Sequence, residues 1–422
     1  MHHFNRIGGV LVAENVNLEA LADAVGTPFY IYSDATLRRH VRVFKEAFEG
    51  ADALVAYSVK ANSNLAVLEV MREEGAGADV VSGGELKRAI KAGMSPDTIV
   101  FSGVGKTRAE MAEALDAGIF QFNVESEAEL DALNEVALSK SARAAIAFRI
   151  NPDVAAGGHE KISTGKAEDK FGVNWEAAHA LYAKAAALKG VDPVGVDFHI
   201  GSQISDLAPF ESALVRVSEI IAALRADGRI ISRLDVGGGL GVPYGDRPAP
   251  PEPKAYAELV RRMTAPLGVK LIFEPGRMIA ANAGILVSRV LYVKEGAAKK
   301  FLILDAGMND LIRPALYDAF HAIEPIRERD GAAQTYDIVG PVCETSDRFA
   351  KARALPPVKA GDLVAIMTAG AYGASLASEY NTRPLAAEVM ARGNQYAVIR
   401  RRPSFEEMVA RESGGGWTTI QG

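Results

Sequence analysis

Tyr57-Ser58-Val59-Lys60-Ala61-Asn62 is the stretch on which the reading of this chain turns. It closes an apolar run, Ala53-Leu54-Val55-Ala56-Tyr57, that reads as a buried strand. It then delivers a lysine at the strand's C-terminal end. Lysine is among the residues least often fully buried. One reading is a side chain that snorkels from a strand end into solvent. The other is an amine in a partly apolar pocket, with a lowered pKa, able to form a Schiff base. Nothing local separates the two; the rest of the chain does.

From Leu54 onward, apolar strand-like runs recur at 54–60, 77–82, 98–102, 120–125, 143–150, 194–200, 232–237 and 270–275. Helical patterns lie between most of them, at 65–74, 85–92, 108–117, 127–139, 175–188, 210–226 and 253–267. Eight strands alternating with helices over roughly 220 residues predict an α/β fold of the (β/α)8 TIM barrel kind, with an open doubly wound sheet as the alternative. Ahead of the barrel, Asn17 is an N-cap before helical spacing, Pro28 to Tyr32 reads as a strand, and Thr36 to Phe48 is amphipathic. After residue 283 the helical intervals largely disappear. Residues 285–293, 300–304, 335–339 and 363–367 read as strands of a C-terminal, mostly antiparallel β domain. The expected division is 1–30 as a segment joining the β domain, 31–282 as the barrel, and 283–422 as the β domain. The longest connection, Asn151 to Val173, ends in Lys170-Phe171-Gly172 and is expected to form a lid. Residues 411–422, with Gly414-Gly415-Gly416, are expected to be flexible.

Composition narrows the class. Of 422 residues, 49% are hydrophobic and 24% charged, which suits a globular chain with material for a large core. A net charge of −6 argues against nucleic acid as a partner. The single cysteine, Cys343, excludes an internal disulfide framework. Glu14 and Glu19 come early, with no long apolar segment behind a basic start, unlike a secretory signal. The uncharged run from Leu363 to Ser378 is rich in Gly and Ala and falls short of the ~20 apolar residues that span a membrane. A soluble cytoplasmic protein, with no membrane partner, is expected.

Catalytic groups of a (β/α)8 barrel lie at the C-terminal ends of its strands. Here those ends carry Lys60, Ser82, Ser102, Glu125, Arg149, His199, Gly237-Gly238-Gly239 and Glu274. Strand alternation puts Ala56, Ser58 and Lys60 on one face, and Gly195, Asp197 and His199 on one face. If the apolar faces meet the helices, Lys60 and His199 share the barrel's cavity. Gly237-Gly238-Gly239-Leu240-Gly241 follows the seventh strand, where barrels often bind phosphate. It is not a dinucleotide fingerprint, because the third glycine would fall on Val242. Gly105-Lys106-Thr107 resembles the end of a Walker A loop, but the first glycine would fall on Val100. Glu274 at the eighth strand could be a general base, a metal ligand or a partner for a cationic ring nitrogen. The histidines show no metal-ligand spacing, so no metal is expected.

With these residues in barrel order, the chain resembles the fold-type III pyridoxal phosphate enzymes, and most closely the diaminopimelate decarboxylase family. The motifs run along nearly the whole chain: Tyr-Ser-Val-Lys-Ala-Asn (57–62), Asp-Val-Val-Ser-Gly-Gly-Glu (79–85), Phe-His-Ile-Gly-Ser-Gln (198–203), Asp-Val-Gly-Gly-Gly-Leu-Gly (235–241), Glu-Pro-Gly-Arg (274–277), Cys-Glu-Thr-Ser-Asp (343–347) and Gly-Ala-Tyr-Gly (370–373). The resemblance implies that pyridoxal 5'-phosphate is the cofactor and Lys60 its covalent anchor. It implies that Asp79 and His199 also contact the cofactor, with His199 stacked on the ring. Ser202, Gly239, Gly276, Arg277 and the Tyr372 hydroxyl would surround the phosphate, and Glu274 would pair with the protonated ring nitrogen. Arg277, Arg313 and Tyr317 would hold the substrate's distal carboxylate and Glu344 its distal amine, with Tyr372 also at the substrate. Cys343 would be the proton donor, reaching the site of the neighbouring subunit in a homodimer. The small-molecule substrate implied is meso-diaminopimelate, converted to L-lysine and carbon dioxide in the last step of lysine biosynthesis.

Two other readings stand beside this one. A decarboxylase of ornithine, arginine or a polyamine precursor would favour acidic groups in its pocket, whereas Arg313 with Tyr317 suits a distal carboxylate. A non-catalytic regulator on the same fold would not need an intact Lys60 and Cys343.

Overall fold

The structure, a computed structural model, describes residues 2–154, 170–245, 249–412 and 414–420. Most of the connection expected to be a lid, residues 155–169, lies outside the described residues, as do 413, 421 and 422 of the C-terminal stretch. No helix among the described residues is long and apolar enough to cross a membrane. The chain forms two compact units. The first holds Ser33–Gly284, Thr368–Ser375 and the first residues of the chain; the second holds Phe4–Tyr32, Ile285–Met367 and Leu376–Gly422.

The first unit is a closed parallel barrel. Its strands are β1 (Ala53–Ser58), β2 (Gly77–Val80), β3 (Ile99–Phe101), β4 (Gln121–Val124), β5 (Ala144–Asn151), β6 (Val191–Asp197), β7 (Arg233–Asp235) and β8 (Lys270–Phe273). Each pairs in parallel with the next. Pairing of β8 with β1, Leu271 opposite Ala53, closes the ring. The (β/α)8 expectation is therefore met and the open sheet is excluded. A two-residue strand, Val173–Asn174, adds to the outer end of β5.

Period-two alternation divides each strand between two environments. Inward, Ala56, Val100 and Ile272 pack with Leu54 and Phe120 into an apolar plug. Outward, Phe273 meets Phe48 at 4.1 Å and Phe44 at 5.7 Å between ring centroids. Tyr256 and Phe210 extend this aromatic cluster onto helices Pro253–Thr264 and Ala208–Ala226. Burying each such side chain stabilises the fold by about 1.5–3 kcal/mol. Helix boundaries follow local chemistry. Thr107 and Glu110 form a reciprocal capping box, with bonds of 3.2 and 2.9 Å, at the start of Arg108–Ala117. Gly118, at φ +71°, ends that helix in the left-handed region.

Lys106, next to that cap, is a fully buried strut. Its ammonium donates to Gly103 O at 2.7 Å, Asn123 O at 2.7 Å and Glu129 Oε1 at 2.8 Å. Those three acceptors use all three of its protons. Gly105-Lys106-Thr107 thus braces the rim of β3 and β4 and has no phosphate role.

The second unit is built on a mostly antiparallel sheet. Its strand order is Arg348–Leu355, Gln334–Val339, Lys300–Leu304, Gly284–Glu295, Phe29–Ser33, Ala387–Arg392 and Gln395–Arg400. Lys300–Leu304 runs parallel to Gln334–Val339. Residues 4–17 add a small antiparallel sheet of three strands. Phe4, Leu11, Leu18, Phe29, Ile285, Val287, Ile326 and Val389 share one buried core, so the N-terminal segment is part of this unit.

Candidate active site

Strand β1 ends at Ser58, and Lys60 stands in the single turn Val59–Ala61 that follows. Four bonds hold that turn: Ser58 N to Pro275 O at 3.2 Å, Tyr372 N to Ala61 O at 2.8 Å, Ser375 Oγ to Ala61 O at 3.4 Å, and the Tyr57 hydroxyl to Asn62 O at 3.2 Å. Lys60 Nζ lies 2.9 Å from Oδ2 of Asp79 on β2, and Ser58 Oγ donates to the same oxygen at 2.5 Å. Asp79 is fully buried, while the Lys60 side chain is 38% exposed at the mouth. The lowered pKa expected for this amine is not what the structure gives. Burial works against the ammonium form, but the carboxyl groups of Asp79 and Glu274 outweigh it and hold Lys60 above the ordinary lysine value.

Opposite the lysine is a cluster of buried acids. Glu274, just past β8, accepts from Ser102 Oγ at 3.0 Å and from Asn123 Nδ2 at 3.3 Å, both at Oε1. The same Asn123 amide donates to Asp235 Oδ2 at 3.0 Å. Burial, then the proximity of Asp235 and Asp79, raises Glu274 well above the usual carboxylate range. Burial and neighbouring Asp197 push Asp235 up to about 8. Close buried carboxyls favour keeping a proton among them, and a cation placed beside Glu274 would favour its ionised form.

His199 is a half-buried neutral ring. Burial, then Arg149 and Lys60, drives it well below the ordinary histidine value. Gly238 N donates to its Nδ1 at 3.1 Å, so Nδ1 is the acceptor and Nε2 carries the proton. The glycine run is tightly seated. A Cβ on Gly238 would fall 2.4 Å from Glu274 O, and one on Gly239, at φ +106°, would fall 2.6 Å from Gly201 O. The N–H groups of Gly237, Gly238 and Gly241 are engaged by Asp235 Oδ1, His199 Nδ1 and Ile204 O. Among the described residues, that of Gly239 has no partner. Beside it, Arg277 donates to Ser202 Oγ at 2.9 Å and to the Tyr244 hydroxyl at 2.8 Å, and its guanidinium lies 4.8 Å from the Tyr372 ring centroid.

This donor set fits pyridoxal phosphate. An amine for its aldehyde, a carboxyl for its ring nitrogen and an arginine–serine–glycine cradle for its phosphate surround one mouth. Among the described residues, Asp79 and Asp197 each keep a buried Oδ1 without a partner, as a site built for a further polar group would. Residues 34–281 match the model of the family described as pyridoxal-dependent decarboxylase, pyridoxal binding domain. The chain belongs to this family. Diaminopimelate decarboxylases of Zymomonas mobilis and Vibrio cholerae are each 51% identical to it, over 98% of this chain and 99% of theirs. The Helicobacter pylori diaminopimelate decarboxylase, solved in complex with L-lysine, is 42% identical with a TM-score of 0.91, over 94% of this chain and 99% of that one.

In this pyridoxal-dependent decarboxylase, Lys60, Asp79, His199, Ser202, Gly239, Glu274, Gly276, Arg277 and Tyr372 all lie in the barrel unit. Arg313, Tyr317, Cys343 and Glu344 lie in the second. There Arg313 is buried, with Nη1 2.9 Å from His321 Nε2. Cys343 is exposed; its N–H donates to Asn381 Oδ1 at 2.9 Å. Glu344 accepts from the Tyr380 hydroxyl at 2.7 Å. Sequence reading passed over Asn123, Tyr244 and the role of Asp235. The available signal was a polar residue inside an apolar alternation, Phe122-Asn123-Val124 and Leu234-Asp235-Val236.

Proposed function

We propose that this chain decarboxylates meso-2,6-diaminopimelate to L-lysine and carbon dioxide, with pyridoxal 5'-phosphate held at the barrel mouth. The observation that carries the reading is Lys60 Nζ at 2.9 Å from the buried Asp79 carboxyl, in a mouth that also holds Glu274 and Arg277. Relatives sharing half of its residues over nearly full length support the substrate.

Lys60 is the amine that would anchor the cofactor's carbonyl carbon, and Asp79 orients it. Arg277, Ser202, Gly239, Gly276 and the Tyr372 hydroxyl would bind the phosphate. His199, neutral and bonded by Gly238 N, would present the flat face of its imidazole to the ring. Glu274 would hold a proton on the ring nitrogen, since a cation beside it favours its carboxylate form. When bound, the cofactor supplies an electron sink for the pair left by the departing carboxylate. Arg313 and Tyr317, with Arg277 and Tyr372, would hold the distal carboxylate through a bidentate guanidinium. Glu344 would hold the distal amine, and Cys343 would return the proton to the α-carbon.

We further propose a homodimer with shared sites, in the cytoplasm; one cysteine in 422 residues suits a reducing compartment. The deciding experiment incubates holoenzyme with meso-diaminopimelate, ornithine and arginine in parallel. Lysine and carbon dioxide should form from the first alone. Comparable turnover of ornithine or arginine would overturn the substrate assignment.

A further inference from the structure

Asn123 stands at the centre of the buried acid cluster, on strand β4, facing inward. It is fully buried. Its Oδ1 accepts from Gln121 Nε2 at 2.8 Å, and the oxygens of Asp235 and Glu274 on the other side assign that end as the donor. Its Nδ2 then has two protons for three acceptors: Asp235 Oδ2 at 3.0 Å, Ser102 Oγ at 3.1 Å and Glu274 Oε1 at 3.3 Å. Ser102 in turn donates its own proton to Glu274 Oε1 at 3.0 Å. The backbone carbonyl of Asn123 is gripped by the buried Lys106 ammonium at 2.7 Å. Residue 123 is therefore held on both sides, by the strut behind the strand and by Gln121 within the barrel.

We propose that Asn123 is a positioning residue for Glu274: its amide separates Glu274 from Asp235 and, with Ser102, pins Glu274 Oε1 so that Oε2 is the oxygen offered to the cofactor's ring nitrogen. This rests on the proposed pairing of Glu274 with that nitrogen. The physical case is steric and electrostatic together. Two buried carboxyls with no donor between them either repel or share one proton directly. A direct share turns Glu274 toward Asp235 and away from the mouth. An amide that donates to both removes that alternative, because each acid then has a neutral donor to satisfy one oxygen. No other amide among the described residues bonds both acids. A buried asparagine on an inward strand position is costly unless every polar atom is met; here both ends of the Asn123 amide are.

The test is a double-mutant cycle on the holoenzyme with Asn123→Leu, Glu274→Gln and the double variant. Asn123→Leu keeps the branching at the γ-carbon, adds some bulk and removes the donors. Loss of a hydrogen bond to a charged group corresponds to about a ten- to hundred-fold effect. We expect kcat to fall by about that factor with KM little changed. We also expect the pH midpoint of the bound cofactor's visible absorption to shift. In the Glu274→Gln background the same change should add little, because coupled residues are not additive. Asn123→Gln, which retains an amide, should recover part of the absorption midpoint. If Glu274→Gln itself leaves turnover and spectrum unaltered, the pairing of Glu274 with the ring nitrogen fails. If Glu274→Gln acts but Asn123→Leu lowers only melting temperature and cofactor affinity, with the midpoint unmoved, this inference alone is overturned. Full additivity of the two substitutions would overturn it as well.

Discussion

Gly276→Ala places one methyl group against the turn that carries Lys60. An alanine Cβ at 276 would lie 2.9 Å from Ser58 Cβ, 3.0 Å from Ala61 Cβ and 3.3 Å from the Tyr372 hydroxyl. Non-bonded carbons rest about 3.5–4.0 Å apart, so both carbon contacts overlap by about 0.5–1 Å. Neither Ser58 Cβ nor Ala61 Cβ can rotate away, because each is bonded to the backbone. The turn Val59–Ala61 must therefore move, and Lys60 moves with it. Overpacking of this kind costs about 1–3 kcal/mol. At roughly 2–4 °C per kcal/mol, the melting temperature should drop by about 2–12 °C. Displacement of a reacting group by about 1 Å can cost about 10²-fold in rate, so kcat should fall by one to two orders of magnitude. Gly84→Ala is the matched control. Its Cβ would meet only Ser82 Oγ, at 3.7 Å, within helix Gly83–Lys91. There alanine should be neutral or stabilising by about 0.5–1 kcal/mol. Thermal melts and steady-state kinetics on both variants make the comparison. Wild-type melting and turnover in Gly276→Ala would refute the claim that packing against residue 276 sets the position of Lys60.

Lys60→Ala should abolish cofactor anchoring and turnover; borohydride reduction of the wild type followed by peptide mapping should label Lys60, and a label on another lysine would remove it from its role. His199 is held neutral in the fold, whereas the unfolded chain gains a proton there below about pH 6.5. The unfolded state then binds more protons, so stability falls as pH drops through that value. Melting curves of His199→Gln between pH 7.5 and 5 should decline less steeply than wild type; parallel curves would contradict a ring held neutral in the fold. Subunit exchange between Lys60→Ala and Cys343→Ala should recover about a quarter of wild-type activity if sites are shared across a two-fold dimer. No recovery, with exchange verified by mass, would place Cys343 in its own chain's site or out of the mechanism.

The barrel was legible in the sequence because its signal is periodic. Parallel strands buried on both faces read as continuous apolar runs, and eight of them alternated with helical patterns. The runs at 270–275 and 54–60 became neighbours only through ring closure, which no local pattern encodes. The strand ends named Lys60, His199, Ser102, Glu125, Arg149 and Glu274, because position along a barrel strand determines which residues reach the mouth. Less was legible in the second unit. Strand Gln395–Arg400 has no buried residue although Tyr396, Ala397, Val398 and Ile399 are apolar, and Arg348–Leu355 buries only Phe349, Ala350 and Leu355, so residue type does not mark a core face in either.

By itself, the sequence determined the (β/α)8 class, the order of the motifs and the residue types at each strand end. Tertiary structure decided what depends on distances between residues far apart in the chain. The return of Thr368–Ser375 to the barrel unit, which brings Tyr372 against Ala61 and Gly276, is one such decision. The charge state of Lys60 is another. A strand-end lysine in apolar surroundings suggests a lowered pKa, but Asp79 and Glu274 stand close enough to reverse the direction. Burial disfavours the charged form of any group, whereas the sign and size of a Coulomb interaction depend on which charges stand how near, and separation across a barrel is set only when the ring closes.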